Sequence, residues 1–245
     1  MRSFGVQRLV MSVGVVLTGL GVAMSPSAAQ AADGVTSAQI AAFETATAAQ
    51  SDQGDVQAAQ TLIQFEALSD EEKERFVKLI NDPYIYRQIF EASERASEAG
   101  AQSRIALAEG DVVVEVTSEE GVTETPAAED QVSAAASTVT RWASHTHTDK
   151  LLGVKISATK VTTNYQTKGK NTTKVLPGTA QSYEYIPGCS LSHGVVDEWI
   201  SAEPADNAQT ETIWTADCAG SSWDGRQRVW GDYRGYVGGY IKVFN

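Results

Sequence analysis

The chain has 245 residues, with 31 acidic and 19 basic side chains and a net charge of −12 at neutral pH. That balance disfavours a nucleic-acid partner, whose phosphates call for the opposite sign. Two cysteines without CxxC spacing are poor material for a zinc or dithiol redox centre, and no stretch after residue 31 is long and apolar enough to be transmembrane.

Residues 1–31 read as a signal peptide. Arg2 and Arg8 form a positive n-region, Leu9 to Val22 an apolar h-region, and Ala29-Gln30-Ala31 a small-residue cleavage site. The two arginines are not adjacent and the segment carries no cysteine, so neither a twin-arginine route nor a lipid anchor is expected. The expected location is secreted and extracellular. In that oxidising setting Cys189 and Cys218 are expected to form one disulfide.

Beyond the signal, charge and aromatic content divide the chain. Residues 31–140 hold 21 acidic and 6 basic side chains, and residues 141–245 hold 10 and 11. All five Trp and six of the eight Tyr lie in the later part. This shift places a boundary near residue 139. Residues 32–110 read as an acidic helical segment, a candidate pro-region. Ala-rich stretches at Ser37–Gln50 and Val56–Ala67 suit helices. Ser69 with Glu72 forms a capping box, and Asp70, Glu71 and Glu72 complement the helix dipole. Phe76, Val77, Leu79 and Ile80 make the apolar stripe of that helix. Asp82-Pro83 starts another, with Tyr84, Ile85, Ile89 and Phe90 as its buried side and Gly100 as its end.

Residues 111–138 read as an acidic linker with one strand, Val112–Val116. Ser118 to Ser137 lacks an apolar period and is expected to be exposed. Residues 139–245 read as a β-rich domain with one disulfide. The expected strands are Val139–His147, Val154–Tyr165, Thr173–Val175, Gln181–Ile186, Val195–Ile200, Gln209–Thr215, Gln227–Tyr233 and Tyr240–Phe244. Leu176 to Ala180, Asp224-Gly225 and Gly238-Gly239 are expected to be turns. In the second strand Val154, Ile156 and Ala158 share one face, whereas Val161 and Tyr165 share the other, which calls for a bulge or a crossing between sheets. The fold class is therefore α+β: a small helical N-terminal segment followed by an antiparallel β-sandwich or small β-barrel.

His145-Thr146-His147-Thr148-Asp149 is the sharpest local pattern. On a strand, His145, His147 and Asp149 face one way, so they could ligate a metal or form the polar face of an exposed strand. The motif resembles the opening of the metallo-β-lactamase HxHxD pattern, but Lys150 stands where that pattern continues with His, and only His193 remains elsewhere. The exposed polar face is therefore the expectation, with no metal and no cofactor. Ser190 or Ser192 with His193 and Asp197 lacks the elbow and oxyanion segment of a hydrolase triad, so no catalytic residue is assigned.

Two surface features remain. Lys150, Lys155, Lys160, Lys168, Lys170 and Lys174 form a basic stretch with no acidic residue between Asp149 and Glu184. It could meet an anionic polymer or lipid, or contact the acidic first half within the same chain. Trp230, Tyr233, Tyr236 and Tyr240 could stack on a glycan or enter a membrane interface.

The phrase Leu68-Ser69-Asp70-Glu71-Glu72-Lys73-Glu74-Arg75-Phe76, followed by Asn81-Asp82-Pro83, sits in an order of parts that is similar to bacteriocin-like, geobacillin-type secreted proteins of Gram-positive bacteria. The resemblance implies export, an acidic helical segment and a β-rich C-terminal part with antimicrobial action, and assigns no functional residue. The reading is a secreted non-enzymatic protein whose β-domain binds or acts at a cell-envelope component, with an acidic helical pro-region. The alternatives are a secreted metal-dependent hydrolase and a structural or adaptor subunit of an extracellular assembly.

Overall fold

The computed structural model of the chain describes residues 35–123, 137–218 and 221–244. The signal-peptide reading of residues 1–31, and residues 124–136 of the expected linker, lie outside them. Four helices come first, each started by a residue whose side chain accepts from the orphan amides of the first turn. Thr36 caps α1 (Ser37–Asp52), Asp55 caps α2 (Val56–Glu66), Ser69 with Glu72 closes a capping box on α3 (Asp70–Ile80), and Asp82 with Pro83 starts α4 (Pro83–Ala99). Phe43, Phe65 and Phe76, one from each of the first three helices, meet with ring centroids 4.7–5.2 Å apart.

Ten strands follow among the described residues, in two antiparallel sheets. The first sheet is a meander of β1 (Gln102–Leu107), β2 (Val112–Thr123), β3 (Thr138–Leu151), β4 (Val154–Lys168) and β5 (Asn171–Glu184). The second runs β10 (Gly235–Phe244), β9 (Ser221–Asp232), β8 (Ala208–Cys218) and β6 (Cys189–His193), with β7 (Asp197–Ile200) also pairing with β8. Cys189 and Cys218 stand directly opposite on β6 and β8 and are joined by the disulfide. No helix among the described residues is long and apolar enough to cross a membrane.

Several sequence expectations are corrected. Val112 begins a twelve-residue strand that runs on to Thr123, so Ser118 to Thr123 pairs with β3 instead of forming linker. Gln102–Leu107, inside the expected helical segment, is a strand paired with β2. Leu176 to Ala180 lies within β5, where the register shifts against β4 and Asn164 Nδ2 donates to the Pro177 carbonyl at 2.9 Å. Asp224-Gly225 lies within β9, with Gly225 opposite the large buried ring of Trp214. Gly238 and Gly239 lie within β10, and their missing side chains admit rings: Trp230 lies against Gly238, and a Cβ on Gly239 would come within 2.6 Å of the His145 ring. Tyr84 is 64 % exposed, turned away from the buried side of α4.

The phase change in β4 is a bulge. Asp149 pairs with Ser157 but Lys150 pairs with Lys155, leaving Ile156 as the extra residue. Beyond it Thr159, Val161, Thr163 and Tyr165 take over the inward positions.

Helices and sheets belong to one compact unit, Gly34–Asn245. The core has two apolar parts. In one, Phe76, Val77, Ile85 and Ile89 pack with Val112, Val114, Leu151 and Ile156 of the first sheet. In the other, Ala143, Val161 and Tyr165 face Trp214, Val229 and Ile241 across the two sheets. The first sheet is thus covered partly by helices and partly by the second sheet. The helical segment has few large apolar residues, and it makes up its core by sharing the sheet's.

Phe76→Ala is therefore expected to destabilise the whole unit by about 3–5 kcal/mol. Every Trp lies at or beyond Trp142, so denaturation followed by Trp fluorescence reads the sheets, most cleanly in a Trp223→Phe background that removes the one ring packed on α4 through Phe90. Its midpoint should fall together with that of the helical circular-dichroism signal. An unshifted fluorescence midpoint would contradict the shared core.

Candidate functional site

The inward face of β3 carries Ala143, His145, His147, Asp149 and Leu151 in a single row. Ala143 belongs to the inter-sheet core and Leu151 to the helix-covered core. The three polar residues lie between them. His145 is 0 %, His147 3 % and Asp149 8 % exposed. Their common face matches the strand geometry, but the expected exposed polar face is corrected: α4 and β10 close over it.

His145 and His147 approach through their Nε2 atoms at 3.2 Å. His147 Nε2 is also 2.9 Å from Ser97 Oγ on α4. That hydroxyl donates to the Ser93 carbonyl at 3.0 Å and accepts from the Ile241 amide of β10 at 3.1 Å. Ser97 thereby ties the helix to an edge strand and to the imidazole at once. His145 Nδ1 lies 3.1 Å from Ser118 Oγ and 3.4 Å from the Tyr236 hydroxyl. The backbone carbonyl of His145 accepts from Gln227 Nε2 at 2.8 Å, and Gln227 Oε1 accepts from Trp214 Nε1 at 2.7 Å. The two sheets are therefore bridged by side chains that are themselves fully buried.

Burial sets the protonation of this row, because a charge without a partner is costly in the interior. Burial pushes His145 down to about 4 and drives His147 well below the usual imidazole range, with His145 adding repulsion. Both rings are neutral at physiological pH. Burial raises Asp149 to about 6 against the opposing hydrogen bond from Ser157 Oγ at 2.6 Å. It raises Glu184 to about 7, opposed by the amides of Ile186 and Tyr185 and reinforced by Asp149. A cavity of about 40 Å³ has a mainly apolar lining, Ile89, Ile156, Trp214 and Ile241 among it, with His147, Asp149, Ser157, Thr159 and Glu184 as polar members. His147 Nδ1, Asp149 Oδ1 and Thr159 Oγ1 have no hydrogen-bond partner.

The chemistry open to this row is narrow. Ser97 and His147 stand at the separation of a nucleophile and its base, yet Ser97 Oγ is held on both sides by backbone groups and is 6 % exposed. Among the described residues no three His, Cys, Asp or Glu side chains converge in a way that could hold a metal ion. His193 Nδ1 interacts with the Gly194 carbonyl at 2.8 Å, so the Ser190, Ser192, His193 and Asp197 grouping is not assembled as a triad.

The expected surface residues divide in the same way. Tyr236 turns inward, stacked 6.3 Å from the His145 ring. Lys150 pairs with Glu115 at 2.7 Å and Lys160 with Glu119 at 3.1 Å, both acids on β2. Lys155 lies over the Tyr183 and Tyr185 rings, and its backbone bonds Thr61 and Gln64 of α2. Lys168, Lys170 and Lys174, around the β4–β5 turn, are exposed and make no ion pair among the described residues. Tyr233 is half-buried beneath the Arg234 guanidinium.

Trp230 and Tyr240 stand on the outer face of the second sheet with a residue the sequence reading passed over, Trp199. Across β7, β8 and β9 the outer row reads Trp199, Gln209, Trp230, and beside it lie Glu211, Arg228 and Tyr240. Arg228 sits 4.8 Å from the Trp199 ring and 5.4 Å from the Tyr240 ring, and pairs with Glu211. Trp230 and Tyr240 have centroids 6.1 Å apart. The period-2 alternation of β8 and β9 was the available signal: Trp214 falls on the inner phase and Trp230 on the outer.

No family model, curated protein or solved structure matches the chain. The class that fold and site define is an α+β sandwich with a closed polar interior and an aromatic outer face.

Asp149→Asn keeps an acceptor for Ser157 and removes the ionisation. A carboxyl whose folded value is raised contributes stability below its unfolded value and loses it as pH rises through about 6. On going from pH 5 to pH 8, the variant should gain about 1 kcal/mol relative to the wild type in chemical denaturation. An unchanged difference between the two pH values would contradict the buried, uncompensated carboxyl.

Proposed function

We propose that this is a secreted, non-enzymatic protein that binds a polysaccharide of a cell envelope through the outer face of its second sheet, with the helices retained in the working molecule. The aromatic row of that face carries the reading. Indole and phenol rings are amphipathic platforms that can cover the C–H face of a sugar. Gln209, Glu211 and Arg228 between them present donors and acceptors suited to hydroxyl groups. The signal-like first segment and the disulfide support an extracellular site of action. The shared core favours a mature form that keeps the helices, since their removal would uncover Val112, Val114 and Leu151. The closed histidine row, with a cavity of about 40 Å³ and no room for a substrate, favours binding over catalysis.

The test is co-sedimentation of the full-length secreted protein with purified insoluble cell-wall glycan. The expected result is binding that persists at about 0.5 M NaCl, because stacking is little screened. Trp199→Ala and Trp230→Ala should each weaken it by about tenfold or more. Neutralising Lys168, Lys170 and Lys174 should leave it intact. Absence of binding, or full binding by both Trp variants, would overturn the reading.

A further inference from the structure

We infer that a groove between α4 and the ends of β9 and β10 is a binding site for a small organic cation that carries apolar groups on its nitrogen. The groove encloses about 570 Å³, within the range of small-molecule sites. One wall is the exposed side of α4, where Arg87, Phe90, Glu91 and Glu94 follow one another at helical spacing and Tyr84 stands at the head. The other is made by Trp223 and Phe244. Phe244 is 37 % exposed and, like Tyr84, leaves much of a large ring in contact with solvent. Aromatic surface of this kind, gathered on both sides of one groove, is the mark of a place that receives something.

Charge selects what it receives. Arg87 is engaged by Glu91 at 3.2 Å, one helical turn on. Glu94 is half-buried and makes no ion pair among the described residues. Arg226 lies 5.7 Å from the Phe244 ring centroid but is paired with Glu211, so Glu94 is the lining carboxylate left without an ion pair among the described residues. An anionic ligand would meet repulsion there, and a neutral apolar ligand would leave the carboxylate partly desolvated without a partner. An alkylated ammonium group satisfies both elements, pairing with the carboxylate while its methyl or alkyl groups lie on the ring faces. The site is separate from the glycan-binding face and does not rest on it.

The test uses an isosteric pair, choline and 3,3-dimethylbutan-1-ol, which share shape and differ in charge. Each is titrated into the full-length secreted protein and followed by the NMR shift of the Trp223 indole. The inference expects choline to bind at least about tenfold more tightly than the neutral alcohol. Glu94→Gln should remove most of that preference, and Phe244→Ala should weaken choline while leaving the unfolding midpoint close to that of the wild type. Equal binding of the two probes, no binding of choline, or an undiminished preference in Glu94→Gln would each overturn it.

Discussion

The inward row of β3 is the constraint on which the remaining architecture depends. Its two ends are apolar and belong to different parts of the core, while its middle is His145, His147 and Asp149. Three polar side chains cannot be left unpartnered in an interior without a cost of the order of 1–3 kcal/mol each. They therefore dictate what may cover them. Ser97 must come from α4, Ser118 from β2 and Ser157 from β4, and the Gly239 backbone must approach the His145 ring closely enough that no side chain fits. Cover and strand specify one another.

The helices follow from the same row. Ser93 and Ser97 sit one turn apart on α4, with Ala92 and Ala96 beside them. Such small side chains let the helix lie close to the sheet, and the Ser97 hydroxyl takes up the Ile241 amide on the strand edge that the second sheet leaves unpaired. A helical segment this poor in large apolar residues gains its stability from that contact and from the valines of β2. What reads in composition as two halves of unlike charge is in structure a single body. The carboxylates that meet the basic stretch are Glu115 and Glu119 of the first sheet, not those of the helices.

Much of this was legible in the sequence, for reasons that can be named. Helix starts are local chemistry, so Ser69 with Glu72 and Asp82 with Pro83 stand where the caps were expected. The bulge in β4 showed as a change of phase because a strand must alternate its faces. The side-chain period also placed His145, His147 and Asp149 together. It could not say which face was inward, since Thr146 and Thr148 make the opposite face polar too, and the covering groups lie far along the chain, at Ser97 and Tyr236. The same limit applies to glycine pairs. Gly238-Gly239 reads as a turn from two residues alone, whereas their role is to admit Trp230 on one face and His145 on the other. Trp199 was missed because its neighbours, Gln209 and Trp230, arrive only through strand pairing.

The outer face and the interior are thus distinct: the buried row holds helices and sheets in register, and the aromatic surface proposed to bind glycan lies outside it. The most direct measurement of the central constraint is the nitrogen-15 NMR signature of His145 and His147 in the folded protein between pH 8 and pH 5. A sealed, mutually bonded pair predicts neutral imidazoles of fixed tautomer throughout, with no titration near 6.5. If either ring protonates in that range with an ordinary imidazole midpoint while the protein stays folded, the row is open to water and does not hold the fold together.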